Sequence, residues 1–412
     1  MRSRPFVALY VAVFVATMGI SMVSPLLPVY AEKLGASGIW LGLTFSIFAI
    51  VQTFVGPFAG RLSDRYGRKP FIVAGLLVYL VAALGYLTAQ SFYQVIAFRA
   101  FSGLGTSLIF SVARAYVGDL TPKGQEGRWL GVFATADIVG FGTGPLVAGF
   151  LRELLGFRSV FVAMASMMAL SALVLAFWLP RHSPAELERR AMRGLGQRGA
   201  RAERTFGEAM SDRVVAAVTL HAGLVAVAVG ASLSFLALRL EQGIGATPIM
   251  IGFAFATQDI TGGLAQPVFG RIADRYDRRW LVAGGLGAYS ALLASLGVVP
   301  NFGTAVVVLL GMGASSSLSM VAAGAIQVVA GRRAGMGTVL GLASASNGIG
   351  IVAGSLLSGV VVSTVALEGA FFFGGFVMAA GIPLFLWLTR GAVVAEGEVL
   401  PKAGSAEGEA AG

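Results

Sequence analysis

The 412-residue chain contains no cysteine. Disulfide frameworks, thiolate zinc centres, iron–sulfur clusters and thiol catalysis are therefore excluded. Charge is scarce: Asp, Glu, Lys and Arg make up 12% of residues, about half the share of an ordinary soluble domain. Histidine occurs twice. No G-x-x-x-x-G-K-S/T loop is present to bind a nucleotide, and no H-E-x-x-H to bind a metal. These absences leave no catalytic residue, metal or cofactor to nominate, and the chain does not read as an enzyme. What takes the place of charge is apolar. Hydrophobic residues reach 56% and mean hydropathy is +0.81. A water-soluble globule of this size cannot hide so much apolar surface, so lipid must be part of the solvent.

A membrane-crossing helix needs about 20 mainly apolar residues. Twelve such stretches are present, near 6–31, 39–60, 70–90, 92–117, 129–151, 158–179, 214–238, 247–269, 280–299, 302–330, 337–362 and 368–389; they are called spans 1 to 12 below. A transmembrane barrel would show alternating segments of about 10 residues. These runs are twice that long, so an all-α membrane protein is expected. The first is too long for a signal peptide and lacks a cleavage site, so it stays as span 1, kinked or ended by Pro25 and Pro28. Twenty-four of the thirty basic residues fall on one side, among them Arg61, Lys69, Lys123 and the arginines of 181–213. The positive-inside rule then puts both termini and the linker in the cytoplasm, with the protein a multi-pass protein of the cytoplasmic (inner) membrane. The basic linker is interrupted by Ala, Gly and acidic residues, which speaks against nucleic acid and for anionic membrane lipids.

The chain repeats itself at an offset of 210 residues. Residues 60–69 read GRLSDRYGRK and residues 270–279 read GRIADRYDRR. The same offset puts Gly127, Gly131, Gly140, Gly144 and Gly149 on Gly337, Gly341, Gly350, Gly354 and Gly359. The expected architecture is an N-terminal six-helix bundle (1–180), a cytoplasmic basic linker (181–213), a C-terminal six-helix bundle (214–390) and a Gly-, Ala- and Glu-rich disordered tail (391–412). An even number of helices per repeat keeps both copies in one orientation. The bundles are then related by a pseudo-two-fold along the membrane normal, as in transporters with a central site between halves.

On these residues the chain resembles the major facilitator superfamily over essentially its whole length. The family's loop pattern G-x-L-x-D-R-x-G-R-K stands as Gly60, Leu62, Asp64, Arg65, Gly67, Arg68 and Lys69; the second copy, with Asp274 and Arg275, departs at Asp277, where a glycine is the pattern. In span 4, Arg99, Gly103 and Gly105 fit R-x-x-x-G-x-G. In span 5, Gly131, Gly140, Gly144, Pro145 and Gly149 fit the pattern of drug:proton antiporters. The resemblance implies a monomeric, twelve-helix protein that exports small lipophilic compounds, cationic ones among them, in exchange for protons by alternating access. A lipid or glycolipid flippase, or a sugar or nutrient proton symporter, on the same fold is the alternative. The acidic residue that such proteins often carry in span 1 is missing; only Thr17, Ser21 and Ser24 stand there.

Charges at membrane depth cost at least about 2.5–3.5 kcal/mol each and are functional candidates. Arg99 lies roughly 10 Å inside span 4 and is expected to serve as counter-charge to a protonatable acid, or to bond backbone carbonyls. Asp137 lies about 12 Å inside span 5, at a depth comparable to Arg114 of span 4, and the two are expected to pair. Its repeat partner is the neutral Asn347. Asp259, mid-span 8 between Gln258 and Gln266, has no cation near it in sequence. It is the leading proton carrier and an attractor for cationic substrates. Gln52, Gln258 and Asn347 complete the polar positions of the central cavity. A lone helix histidine such as His221 is more often structural. The Asp64 loop is expected to be a gate. Its carboxylate can accept from the N-terminus of span 11 near Gly335–Thr338, and by resemblance Asp119 engages Arg65 or Arg68. Such bonds would hold the outward-facing state.

Overall fold

The computed structural model describes residues 4–23, 25–122, 125–180 and 206–390. The expectations for Ser24, Lys123, linker residues 181–205 and the tail 391–412 concern residues outside that set. Span 1 is Arg4–Ser21, broken near Pro25 and continued by Leu27–Lys33. Spans 2 to 6 are Ile39–Tyr66, Arg68–Thr88, Phe92–Leu120, Glu126–Leu155 and Phe157–Trp178. A short helix, Phe206–Met210, precedes span 7, Arg213–Leu238, which a π turn extends over Arg239–Gly243. Spans 8 to 12 are Pro248–Ala273, Arg278–Ser295, Phe302–Ala334, Met336–Thr364 and Gly369–Leu388. No strand occurs among the described residues. Ten of these helices are each apolar and long enough to cross a membrane. The other two are span 8, with Gln258, Asp259 and Gln266 in its middle, and span 9, which has only 18 residues and opens on two arginines. Both pack within the bundle.

The links are short because the chain reverses on single residues. Gly67, Gly156 and Gly335 each join two helices with φ of 105°, 82° and 95°, a backbone that only glycine adopts without strain. At the position related to Gly67 by the repeat, Asp277 has φ of −61°, and its carboxylate caps span 9 by accepting from the amide of Arg279. The departure from the glycine pattern is thus a change of turn chemistry from a left-handed link to an N-cap. Pro145 does not interrupt span 5, whose helix is continuous through it.

In the N-terminal half, span 4 packs on spans 2 and 3, span 1 on spans 5 and 6, and span 3 on span 6. The C-terminal half repeats this, with span 10 on 8 and 9, span 7 on 11 and 12, and span 9 on 12. The halves meet along two seams, span 2 against span 11 and span 5 against span 8. The 210-residue offset reappears in these contacts. A methyl group added at Gly42 would strike the carbonyl of Ser355, and one at Gly252 would strike that of Pro145. Likewise Gly149 stands against the carbonyl of Pro248, and Gly359 against that of Gly38. Each contact is the repeat image of another. Glycine is needed here for close approach of backbones.

Both seams are tight at the end of the bundle away from the arginine-rich loops, and both open toward the basic end. Span 5 meets span 8 at Gly149, Gly142 and Ile138, but the space beside Gly131 and Gly270 is empty to 4 Å. Span 2 meets span 11 at Gly38, Gly42 and Thr53, whereas Gly60 has nothing within 4 Å. The halves form a V whose mouth is the basic end. Exposed Leu77, Val81 and Leu84 of span 3 and Leu170, Leu173 and Phe177 of span 6 make the outer, lipid-facing surface.

The seams generate a stability prediction. Gly252→Ala and Gly42→Ala force backbone apart at the closed end and should destabilise the protein by about 1–3 kcal/mol. Gly270→Ala, with open space around it, should be neutral or slightly stabilising. Thermal melting of the detergent-solubilised variants measures both.

Candidate functional site

Three polar ties seal the closed end. Arg152, at the end of span 5, donates to both oxygens of Glu241 in the turn after span 7, at 2.6 and 2.7 Å, and stacks on Phe157. Glu153 accepts from the amide of Ile249 at the N-terminus of span 8 at 2.9 Å, where the helix dipole favours a carboxylate. Gln242 donates to Glu32 at 2.6 Å. These two residues are 210 positions apart and so are repeat images of each other; their bond straddles the pseudo-two-fold axis. None of these residues was nominated from the sequence; the available signal was the small number of charges at this end, which leaves Arg152 few partners besides Glu241.

At the basic end, Arg68 is buried between two carboxylates, 2.8 Å from Asp64 and 2.5 Å from Asp119. Asp119 therefore engages Arg68. The expected bond from Asp64 to the N-terminus of span 11 is not made. The halves are apart here, Asp64 is 41% exposed, and its carboxylate serves Arg68 within its own half. The second loop copy forms no such network. Asp274 and Arg275 are exposed and without ion pairs among the described residues, and the repeat position of Asp119 is Val329.

Inside the V, the structure brings Arg114 and Asp137 together at 3.5 Å, with Thr17 of span 1 donating to the same carboxylate at 3.3 Å. Arg114 is 67% exposed and Asp137 mostly buried. Asp259 lies on the opposite half. Span 8 turns Gln258 and Gly262 toward span 10, Ile260 and Gly263 toward span 5, and the exposed Phe253, Leu264 and Val268 toward lipid. At about 100° per residue, Asp259 and Gln266 fall on the remaining arc, which faces the cleft. The Asp259 side chain is exposed there, though protein surrounds it on most sides, and it has no hydrogen bond or ion pair among the described residues. Beside it, Gln258 donates to Tyr289 at 3.4 Å; Tyr289 was not anticipated. Asn347 is exposed and Gln52 half-buried.

Arg99 is not paired with these acids. It is buried in the N-terminal half against the rings of Phe48 and Phe45, at 4.2 and 5.2 Å, and has no ion pair among the described residues. Gly103, one turn on, lets span 4 close on Phe48 of span 2, and the guanidinium is drawn onto aromatic faces rather than into the cleft. Nor does it bond a backbone carbonyl among the described residues. His221 is buried and bonds Ser319 at 2.7 Å. In span 5, Gly140 and Gly144 admit Thr17, Met18 and Ser21 of span 1, and Gly149 admits span 8, while Gly131 borders open space.

Two six-span halves in parallel repeat, paired seams and a central cleft are the architecture of one transporter class. The family model for the Major Facilitator Superfamily matches residues 9–238 and 219–407. The chain belongs to that superfamily. It is 26% identical over 387 residues to an uncharacterized MFS-type transporter of Methanocaldococcus jannaschii, covering 93% of this chain and 97% of that one. It is 23% identical over 384 residues to the multidrug resistance protein MdtG of Proteus mirabilis, covering 91% and 93%. Among solved structures it is similar to a bacterial homologue of the human lysosomal transporter Spinster, in an inward-facing and unoccupied conformation. The TM-score is 0.74 at 17% identity over 94% of this chain and 96% of that one, which speaks to the fold alone. The protein is thus a multi-pass membrane transporter of small molecules, not an enzyme.

The buried network at the basic end makes a further prediction. Arg68→Ala removes the guanidinium from a site where its carboxylate partner is also buried and should cost about 3 kcal/mol. Asp64→Asn, at an exposed carboxylate, should cost less than about 1 kcal/mol. Melting of the purified variants distinguishes the two.

Proposed function

We propose that the protein exports small lipophilic compounds, cationic ones among them, from the cytoplasm in exchange for protons. The observation that carries this reading is Asp259: a carboxylate near the middle of span 8 that faces the cleft and has no ion pair among the described residues. A carboxylate without an internal counter-ion can hold either a proton or a cationic ligand, but not both at once. That mutual exclusion is the minimal requirement of exchange transport. The likeness to MdtG, a multidrug resistance protein, supports the same reading. The arginine-rich loops support an orientation with the mouth of the V on the cytoplasmic side of a cytoplasmic membrane and both termini inside. Substrate enters there, the mouth closes as Asp64 reaches span 11, and the far-end ties of Arg152, Glu153 and Glu32 open.

Proton movement in proteoliposomes tests the reading. With a pH-sensitive dye inside and a proton gradient imposed, ethidium should trigger proton flux in the wild type. Asp259→Asn should abolish that flux, while Asp137→Asn retains at least part of it. Flux driven by sugars, or flipping of a labelled lipid with no response to cations, would overturn the assignment and leave the fold intact.

A further inference from the structure

The repeat makes unlike charges on the two walls of the cleft conspicuous. On the N-terminal wall, Arg114 presents a guanidinium that is 67% exposed. It stands on the far side of span 4 from the exposed Phe101, so it points away from lipid. Its repeat position is Gly324, where a side chain would meet nothing within 4 Å. The C-terminal half thus contributes open room where a second cation would have stood. On the other wall is Asp259, whose repeat position is the buried Ala49. Heights follow from the seam contacts. Ile138 touches Gly263 and Gly142 touches Ile260, so Asp259 is level with about residue 143. That is some six residues, or about 9 Å at 1.5 Å per residue, beyond Asp137 and its partner Arg114.

We propose that the cleft is built for dipolar amphiphiles. A basic group of the substrate seats at Asp259, and an acidic group (carboxylate, sulfonate or phosphate) seats at Arg114, closer to the mouth. Asp137 is the internal occupant of that second seat. At 3.5 Å from Arg114, and with Thr17 as a second partner, it forms a loose pair that an incoming anion can displace. A planar guanidinium with several free donors recognises such groups in forked geometry. The proposal rests on the cation reading of Asp259 and adds to it the acidic end of the substrate and its receptor.

The test uses two fluorescent probes that share one ring system: rhodamine 6G, a cationic ethyl ester, and its free acid, which adds a carboxylate. Binding to the full-length protein in neutral-lipid nanodiscs is followed by anisotropy at fixed pH, with empty nanodiscs as background. The readout is the ratio of the ester's dissociation constant to that of the free acid. The wild type should favour the free acid by about tenfold, the scale of one charge-assisted contact. Arg114→Gln should bring the ratio to about one, and Arg114→Lys should restore part of it. Asp137→Asn removes the internal competitor and should raise the ratio above the wild-type value, a gain that damage to the fold does not produce. Equal binding of the two dyes by the wild type, a preference that survives Arg114→Gln, or no gain in Asp137→Asn would overturn the proposal while leaving Asp259 as a cation site. Failure of the wild type to bind either dye would overturn the cation reading and this proposal with it.

Discussion

Close approach of bare backbone across the two seams is the constraint on which the architecture depends. Lipid offers helices no hydrophobic reason to associate, so packing and polar ties must do it. Here glycines at matching positions of spans 2, 5, 8 and 11 let main chain lie against the carbonyls of Gly38, Pro145, Pro248 and Ser355. Because the seams are tight at one end only, the halves can pivot there, and the cleft widens toward the other end. The position of the charged residues follows from that geometry: Arg114, Asp137 and Asp259 border the opening, while Arg152 and Glu241 clasp the hinge side.

Much of this was legible in the sequence because two signals are periodic. Apolar runs of helical length place the spans, and the 210-residue offset predicts not only the halves but which seam contacts are images of one another. Turn chemistry was seen only in the structure: the pattern marked Asp277 as a departure, but not that Gly67 is a left-handed link and Asp277 an N-cap. A match in depth was enough to bring Arg114 and Asp137 together. The settings of other charges were not legible. Depth says that Arg99 must find a partner, but whether that is a carboxylate, a carbonyl or an aromatic ring depends on how span 4 is rotated against span 2. The expected bond between Asp64 and span 11 is not made in this conformation, and a sequence does not say which state of a moving protein is populated. Tyr289 carried no signal, because a tyrosine on an apolar helix looks the same whether it packs or lines a site.

The two halves share a frame but not a chemistry. The repeat replaces Asp137 by Asn347, Arg114 by Gly324, Asp259 by Ala49 and Asp119 by Val329. Duplicated scaffold gives symmetric motion, with both seams bending alike. Diverged side chains make the surfaces around the cleft unequal, so that a ligand can be oriented across it. Polar groups at membrane depth are costly, and confining each to one copy keeps their number low.

The asymmetry between the ends of the bundle governs how the empty carrier waits. Ties that cross between the halves at the closed end, the Arg152–Glu241 pair, the Glu153 carboxylate on span 8 and the Glu32–Gln242 bond, are all made with the mouth open. Each adds to the standing population of that state, and about 1.4 kcal/mol of such bias is a tenfold change in occupancy. A carrier whose idle form already presents its cleft to the compartment it empties loses little apparent affinity to the fraction of molecules facing the wrong way. For an exporter with the orientation proposed here, scarce substrate would meet a receptive molecule at nearly every encounter, and the rate of turnover would be set by how fast three polar ties let go.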